Sequence, residues 1–243
     1  MGAMDAVERA KRYVLVVETN VDDRFTVSML LQRFGCTICS AHSAEEALEF
    51  LTVAPPAAVV SEEGHLGTGL LARIKKDGRF SDVPVILLTS APDHALEDRV
   101  RRGELAAVLR KPVDAEAFYR AIQASIEKTP RKNIRIVTYL PAKMRDDQVD
   151  GDGYVTVLSE HGMFFRTLEP RAVHMQVPVS FSLPGGSEVM VEATVLYTCS
   201  FDEGPFQEPG MGMKFSKISD DARALIRNFI LEQIGAGIGN RVA

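Results

Sequence analysis

The sequence predicts two folded units in series: a doubly wound α/β domain on a five-stranded parallel sheet, then a small antiparallel β-barrel with a C-terminal helix. Three observations carry this reading. Up to residue 127, five apolar runs of strand length alternate strictly with five helical patterns, which calls for a parallel sheet covered on both faces through right-handed crossovers. From residue 134 the runs become short strands separated by Gly, Pro and Asp clusters, the pattern of a small barrel or sandwich. Between them, residues 128–135 hold four positive charges, no negative one and a proline, whereas residues 1–127 are net −4 and residues 136–243 net −5.

Tyr13–Val17 is a continuous apolar run with β-branched residues, as expected of a strand buried on both faces. Residues 22–34 place Phe25, Met29, Leu30 and Phe34 at helical spacing, and Gly35 ends that helix. Cys36–Ala41 is a second short strand, and Ser43 with Glu46 forms a capping box at the start of the next helix. Ala57–Val60 is the third strand, Leu70–Lys76 a helix, and Val83–Leu88 the fourth strand. A charged helix over 94–103, a strand at Ala106–Leu109 and a helix at Ala115–Glu127 complete the first domain, 11–127. In the second, 136–234, strands are expected at Ile134–Leu140, Tyr154–Leu158, Met163–Thr167, Gln176–Ser182, Val189–Tyr197 and Gly212–Phe215. Ser219 then caps a helix whose Ala222, Leu225, Ile226, Phe229 and Ile230 should pack on the barrel. Residues after Gly235 are small and expected to fray.

The chain of 243 residues is 46% apolar and 25% charged, the balance of a soluble globular protein. No apolar stretch approaches the ~20 residues of a membrane span. The charged first eleven residues lack a signal-peptide core, and Met1–Met4 is set aside as an added lead. An acidic net charge of −5 argues against a nucleic-acid surface, and three cysteines point to a reducing cytoplasm rather than a disulfide framework. Cys36 and Cys39 have CxxC spacing without a second pair or a nearby His, and the five histidines show no ligand spacing, so no metal is expected. Asp22 and Asp23 are expected to favour the positive start of the first helix.

In a doubly wound sheet, chemistry sits beyond the carboxyl ends of the strands. There the sequence has Glu18 and Thr19, then Ser61, Glu62 and Glu63, then Thr89, then Lys111-Pro112. Over residues 11–127 the chain resembles a bacterial response-regulator receiver domain, which carries paired acids after strand one, a phosphoacceptor Asp after strand three, Thr or Ser after strand four and Lys-Pro after strand five. Thr89 and Lys111-Pro112 match. The acid pair is reduced to Glu18-Thr19, the phosphoacceptor falls on Ser61 or Glu62, and the following loop is rewritten as Gly64-His65-Leu66-Gly67. The resemblance implies a magnesium site that has lost side-chain ligands and a Glu too long for the in-line geometry of an Asp. Glu18, Ser61, Glu62, Thr89 and Lys111 are therefore a degenerate receiver site, with Glu62 either a fixed mimic of the charged state or a solvated loop acid.

Over residues 129–234 the chain resembles a PilZ domain, the cyclic di-GMP receptor fold. Arg131 and Arg135 form an RxxxR motif. Ser159 and Gly162, in Val157-Leu158-Ser159-Glu160-His161-Gly162, match Asp/Asn-x-Ser-x-x-Gly, and Gly210-Met211-Gly212 precedes the last helix. The resemblance implies a cyclic di-GMP site at Arg131, Arg135, Ser159 and Gly162, with Lys132 adding charge. Arginine suits both phosphate and guanine. Val157 stands where a guanine-reading acid or amide is expected. Otherwise the arginines would only pair with acids such as Asp150 or Asp152. The expected function is a non-enzymatic, cytoplasmic signalling protein that needs no cofactor. It would be a cyclic di-GMP effector acting on a protein partner, in a process such as motility, with dimerisation through the face around residues 97–104. The alternative is a ligand-independent adaptor. Phosphorylation-driven switching is disfavoured by the missing acids.

Overall fold

The computed structural model describes residues 13–66, 69–131, 133–145, 151–201 and 208–235. They form two compact units that divide between residues 132 and 133.

The first unit is an α/β sandwich whose elements follow the expected alternation. They are β1 (Tyr13–Val17), α1 (Val21–Arg33), β2 (Thr37–Ala41), α2 (Ala44–Val53), β3 (Ala58–Glu62), α3 (Leu70–Lys76), β4 (Val85–Thr89), α4 (His94–Arg101), β5 (Ala107–Arg110) and α5 (Ala115–Ile126). All pairings are parallel, in the order β2-β1-β3-β4-β5. The central strands β1, β3 and β4 are buried on both faces, which is why they read as unbroken apolar runs.

Helix ends follow side-chain chemistry. Asn20 caps α1 by accepting from the Asp22 and Asp23 amides, at 2.9 and 3.0 Å. Ser43 caps α2, with Glu46 reaching back to the His42 amide rather than to the Ser43 one. Asp93 and Asp114 cap α4 and α5. Gly35, at φ 79°, closes α1 in the left-handed conformation that glycine adopts without a Cβ penalty.

One expected packing face and one strand boundary are corrected. Helix α1 buries Val27, Leu30 and Leu31, whereas Phe25 is 64% exposed. The apolar stripe runs one position further round than the Phe25–Met29 spacing suggests. Strand β4 begins after Pro84, which has no N–H to contribute and serves the sheet only through its carbonyl, bonded by the Val59 amide.

The second unit is a closed antiparallel barrel. Its strands are β6 (Ile136–Met144), β7 (Gly151–Ser159), β8 (Gly162–Arg166), β9 (Gln176–Ser182), β10 (Glu188–Cys199) and β11 (Gly210–Lys217), followed by α6 (Asp220–Gly235). The order round the barrel is β10-β11-β8-β7-β6-β9, with β10 and β9 paired to close it. Inward positions such as Leu140, Val155, Phe165, Phe181, Val189 and Met211 are buried. Ser219 caps α6 through the Ala222 amide, and the helix buries Ala222, Ile226, Phe229 and Ile230 while leaving Leu225 39% exposed. Residues 236–243, expected to fray, lie outside the described residues, as do Gly67, Lys132 and Asp150.

Two register shifts matter for this part of the barrel surface. Strand β6 advances three residues, Val137 to Leu140, while β7 recedes two, Val157 to Val155. On the other side, Val155 and Val157 of β7 face the consecutive residues Phe165 and Phe164 of β8. These bulges turn Thr156 inward, 4% exposed, and leave Tyr139, Tyr154 and Val157 on the outer face.

Candidate functional site

At the carboxyl ends of β1, β3, β4 and β5, the α/β unit gathers acids around one ammonium. Lys111 Nζ lies 2.5 Å from Glu18 Oε2, 2.8 Å from Asp23 Oδ2 and 3.8 Å from Glu62 Oε2. Glu62 Oε1 accepts from the Thr19 hydroxyl at 2.6 Å. The Thr89 hydroxyl donates to Glu63 Oε2 and accepts from the Ala91 amide. Arg24 Nη1 donates to the Glu18 carbonyl at 2.7 Å, placing a second cation at the end of β1.

The electrostatics follow from burial. Glu18 is 1% exposed. Loss of water, then its hydrogen bond with Glu62, push its carboxyl up to about 7, against the opposing pull of Lys111 and the Asn20 amide. Burial works against the Lys111 charge, but its bonds to Asp23 and Glu18 outweigh this and hold its pKa above the ordinary lysine value.

In the barrel unit, Arg135 is exposed and directly precedes β6. Arg131, the last described residue of the α/β unit before the division, is also exposed, with its guanidinium 3.3 Å from Glu127. Ser159 is buried, and its hydroxyl donates to the Gly162 carbonyl at 3.0 Å, inside the β7–β8 turn. A Cβ on Gly162 would stand 2.3 Å from the Met213 carbonyl oxygen. The absent side chain therefore lets β8 lie against β11. Arg223 Nη1, on α6, donates to the Glu160 carbonyl and approaches His161 Nδ1 at 3.0 Å, tying the helix to the same turn.

The comparisons with known proteins agree with this division. A family model described as PilZ domain matches residues 129–232. A probable chemotaxis protein CheY of Rhizobium etli is 30% identical over 125 residues, covering 50% of this chain and 95% of that protein. The chain belongs to the response-regulator receiver family and carries a PilZ domain behind it. The two-component response regulator ARR3 of Arabidopsis thaliana is 29% identical over 115 residues, 42% of this chain and 50% of that protein, so the chain spans about half the length of that relative. Among solved structures, the chemotaxis response regulator CheY4 of Vibrio cholerae aligns with a TM-score of 0.43 at 20% identity, over 47% of this chain and 98% of that one.

Within the receiver domain, Glu18, Glu62 and Lys111 come together as one cluster, and Thr89 lies beside it, its carbonyl accepting from the Lys111 amide at 2.7 Å. Ser61 does not: it is buried, and its hydroxyl turns to the Glu62 carbonyl at 3.1 Å. Of the two residues aligned with the phosphoacceptor, Glu62 is the one facing Lys111. Asp23 does more than favour the start of α1, since its carboxylate grips Lys111 across 88 residues of sequence. Asp23 and Arg24 were missed as site residues because each reaches the cluster from a helix whose approach the one-dimensional pattern does not encode, whereas Glu63, expected at the strand end, bonds Thr89. Among the described residues no group of His, Cys, Asp or Glu is arranged to hold a metal ion, and no helix is long and apolar enough to cross a membrane.

Arg131 pairs with Glu127, Asp152 lies 3.8 Å from Lys143, and Asp150 lies outside the described residues. Ser159, expected to meet a ligand, bonds inside the β7–β8 turn, and Gly162, likewise expected, lies against the Met213 carbonyl of β11.

Proposed function

We propose that this signalling protein is a non-enzymatic receptor whose PilZ domain binds cyclic di-GMP, and whose receiver domain has given up phosphoryl transfer. The observation that carries the first part is Arg135, exposed and two residues before Val137, which pairs with Val157 on the outer face of the barrel. Arg131 stands four residues upstream on the same basic segment. Guanidinium groups make charge-assisted bonds to phosphate and stack on bases. Calorimetric titration of the full chain tests the reading. Arg135→Ala should weaken binding by about 1.5–3 kcal/mol, and affinity should fall with salt. Val157→Asn should strengthen binding by supplying an acceptor for the guanine edge. No heat from wild type and from Val157→Asn at millimolar ligand sinks the proposal in favour of a ligand-independent adaptor.

The receiver geometry supports the second part. The groups that would engage a phosphoryl group already hold carboxylates of the chain itself: Lys111 holds Glu18 and Asp23, and Thr89 holds Glu63. Incubation with acetyl phosphate and magnesium should leave the intact mass unchanged. A stoichiometric gain of one phosphate within residues 13–126 would contradict this.

A further inference from the structure

The outer face of the barrel continues past Val157 into an aromatic surface. Tyr139 of β6 and Tyr154 of β7 stack with ring centroids 4.2 Å apart and planes inclined by 22°. They are 61% and 37% exposed. Strand pairing places them beside the proposed nucleotide face: Val137 is opposite Val157, and Tyr154 is opposite both Pro141 and Arg166. Arg135 thus stands at one end of this strip and Arg166 at the other, with valines and then the tyrosine pair between them. Tyr139 lies four positions after Arg135, at most about 13 Å along a strand. The long guanidinium arm shortens that gap to the reach of one nucleotide, with phosphate on the arginine and base on the ring.

We infer that the Tyr139–Tyr154 pair is a base-stacking platform, and that this domain selects cyclic purine dinucleotides by stacking and charge rather than by reading the guanine edge. This rests on the nucleotide-receptor reading above. The physical reason is the pairing of Val157 with the tyrosines. Valine offers no acceptor to guanine N1–H and N2–H₂, so the edge goes unread. Every base presents a π-face, so stacking tolerates a change of base. Tyrosine also supplies this area with only two side-chain torsions to fix.

The test is a calorimetric titration of the full chain with cyclic di-GMP and with cyclic di-AMP. The two ligands should bind within about tenfold of each other. Tyr139→Leu should weaken both by about 10- to 100-fold, the usual loss for one stacked base, with circular dichroism reporting an intact barrel. Val157→Asn should improve cyclic di-GMP alone and so open a preference for guanine. If cyclic di-GMP binds but cyclic di-AMP is weaker by a hundredfold or more, the stacking inference is overturned and the receptor reading stands. Unchanged affinity in Tyr139→Leu has the same consequence. The selectivity measurement needs only wild type, so it decides even if a variant fails to fold. Silence with both ligands overturns the receptor reading and this inference together.

Discussion

Gly162→Ala is expected to destabilise the barrel by about 3 kcal/mol, at the upper end of what overpacking usually costs. The new methyl would sit 2.3 Å from the Met213 carbonyl oxygen and 3.3 Å from Lys214 Cα, both backbone atoms of β11 that cannot swing aside. Relief requires β8 and β11 to separate at the Gly162–Lys214 pair, where their ladder ends. The adjacent turn loses support too, since Ser159 donates to the Gly162 carbonyl. Urea unfolding followed by circular dichroism measures the effect, with an exposed-site control such as Lys143→Ala expected within about 0.5 kcal/mol of wild type. Stability unchanged in Gly162→Ala, with ligand binding lost, would mean that this glycine serves the approach of a ligand rather than the approach of two strands.

The second large effect lies in the receiver domain and depends on pH. Glu18, pushed up to about 7 by burial and by Glu62, keeps a proton in the folded state that the unfolded chain has already released near its ordinary value of about 4.3. Raising the pH through that window therefore removes stability, because the folded state binds more protons than the unfolded one. The loss across the window is on the order of 3–4 kcal/mol. Glu18→Gln has no proton to lose, and its amide still donates to Glu62. The variant should match wild type near pH 4.5 and exceed it at pH 8. Urea titrations at several pH values across that range check it. A variant that is instead weaker than wild type at pH 8 would show that the Glu18–Lys111 ion pair outweighs burial. Lys111→Met should move in the opposite direction at pH 8, since it leaves Glu18, Asp23 and Glu62 facing one another without their shared cation.

These two positions show how far the one-dimensional pattern reaches. Alternation of apolar runs with helical spacing was enough for the α/β unit, because β1, β3 and β4 are buried on both faces and must be apolar throughout. The caps at Ser43 and Ser219 were equally legible, since a cap is a contact between near neighbours. Lys111 and Glu18 were recognisable as strand-end residues for the same reason: in a parallel sheet, every strand delivers its last residue to the same edge.

Other features depend on contacts that sequence spacing does not carry. Asp23 was assigned to its own helix, but the packing of α1 turns it toward Lys111, and no local rule predicts a bond across 88 residues. Gly162 also admits the Met213 backbone carbonyl, more than fifty residues later in the chain, a contact that the local spacing does not carry. The tyrosine platform is the clearest case. Period-two alternation sends side chains in and out only while each residue of one strand meets one of the next. The bulges at Thr138–Tyr139 and Thr156 break that count and turn Thr156 inward. They bring Tyr139 and Tyr154 into stacking contact beside Val157. A bulge is set by the twist and closure of the barrel, a balance among all six strands, so the face it builds emerges only when the barrel closes.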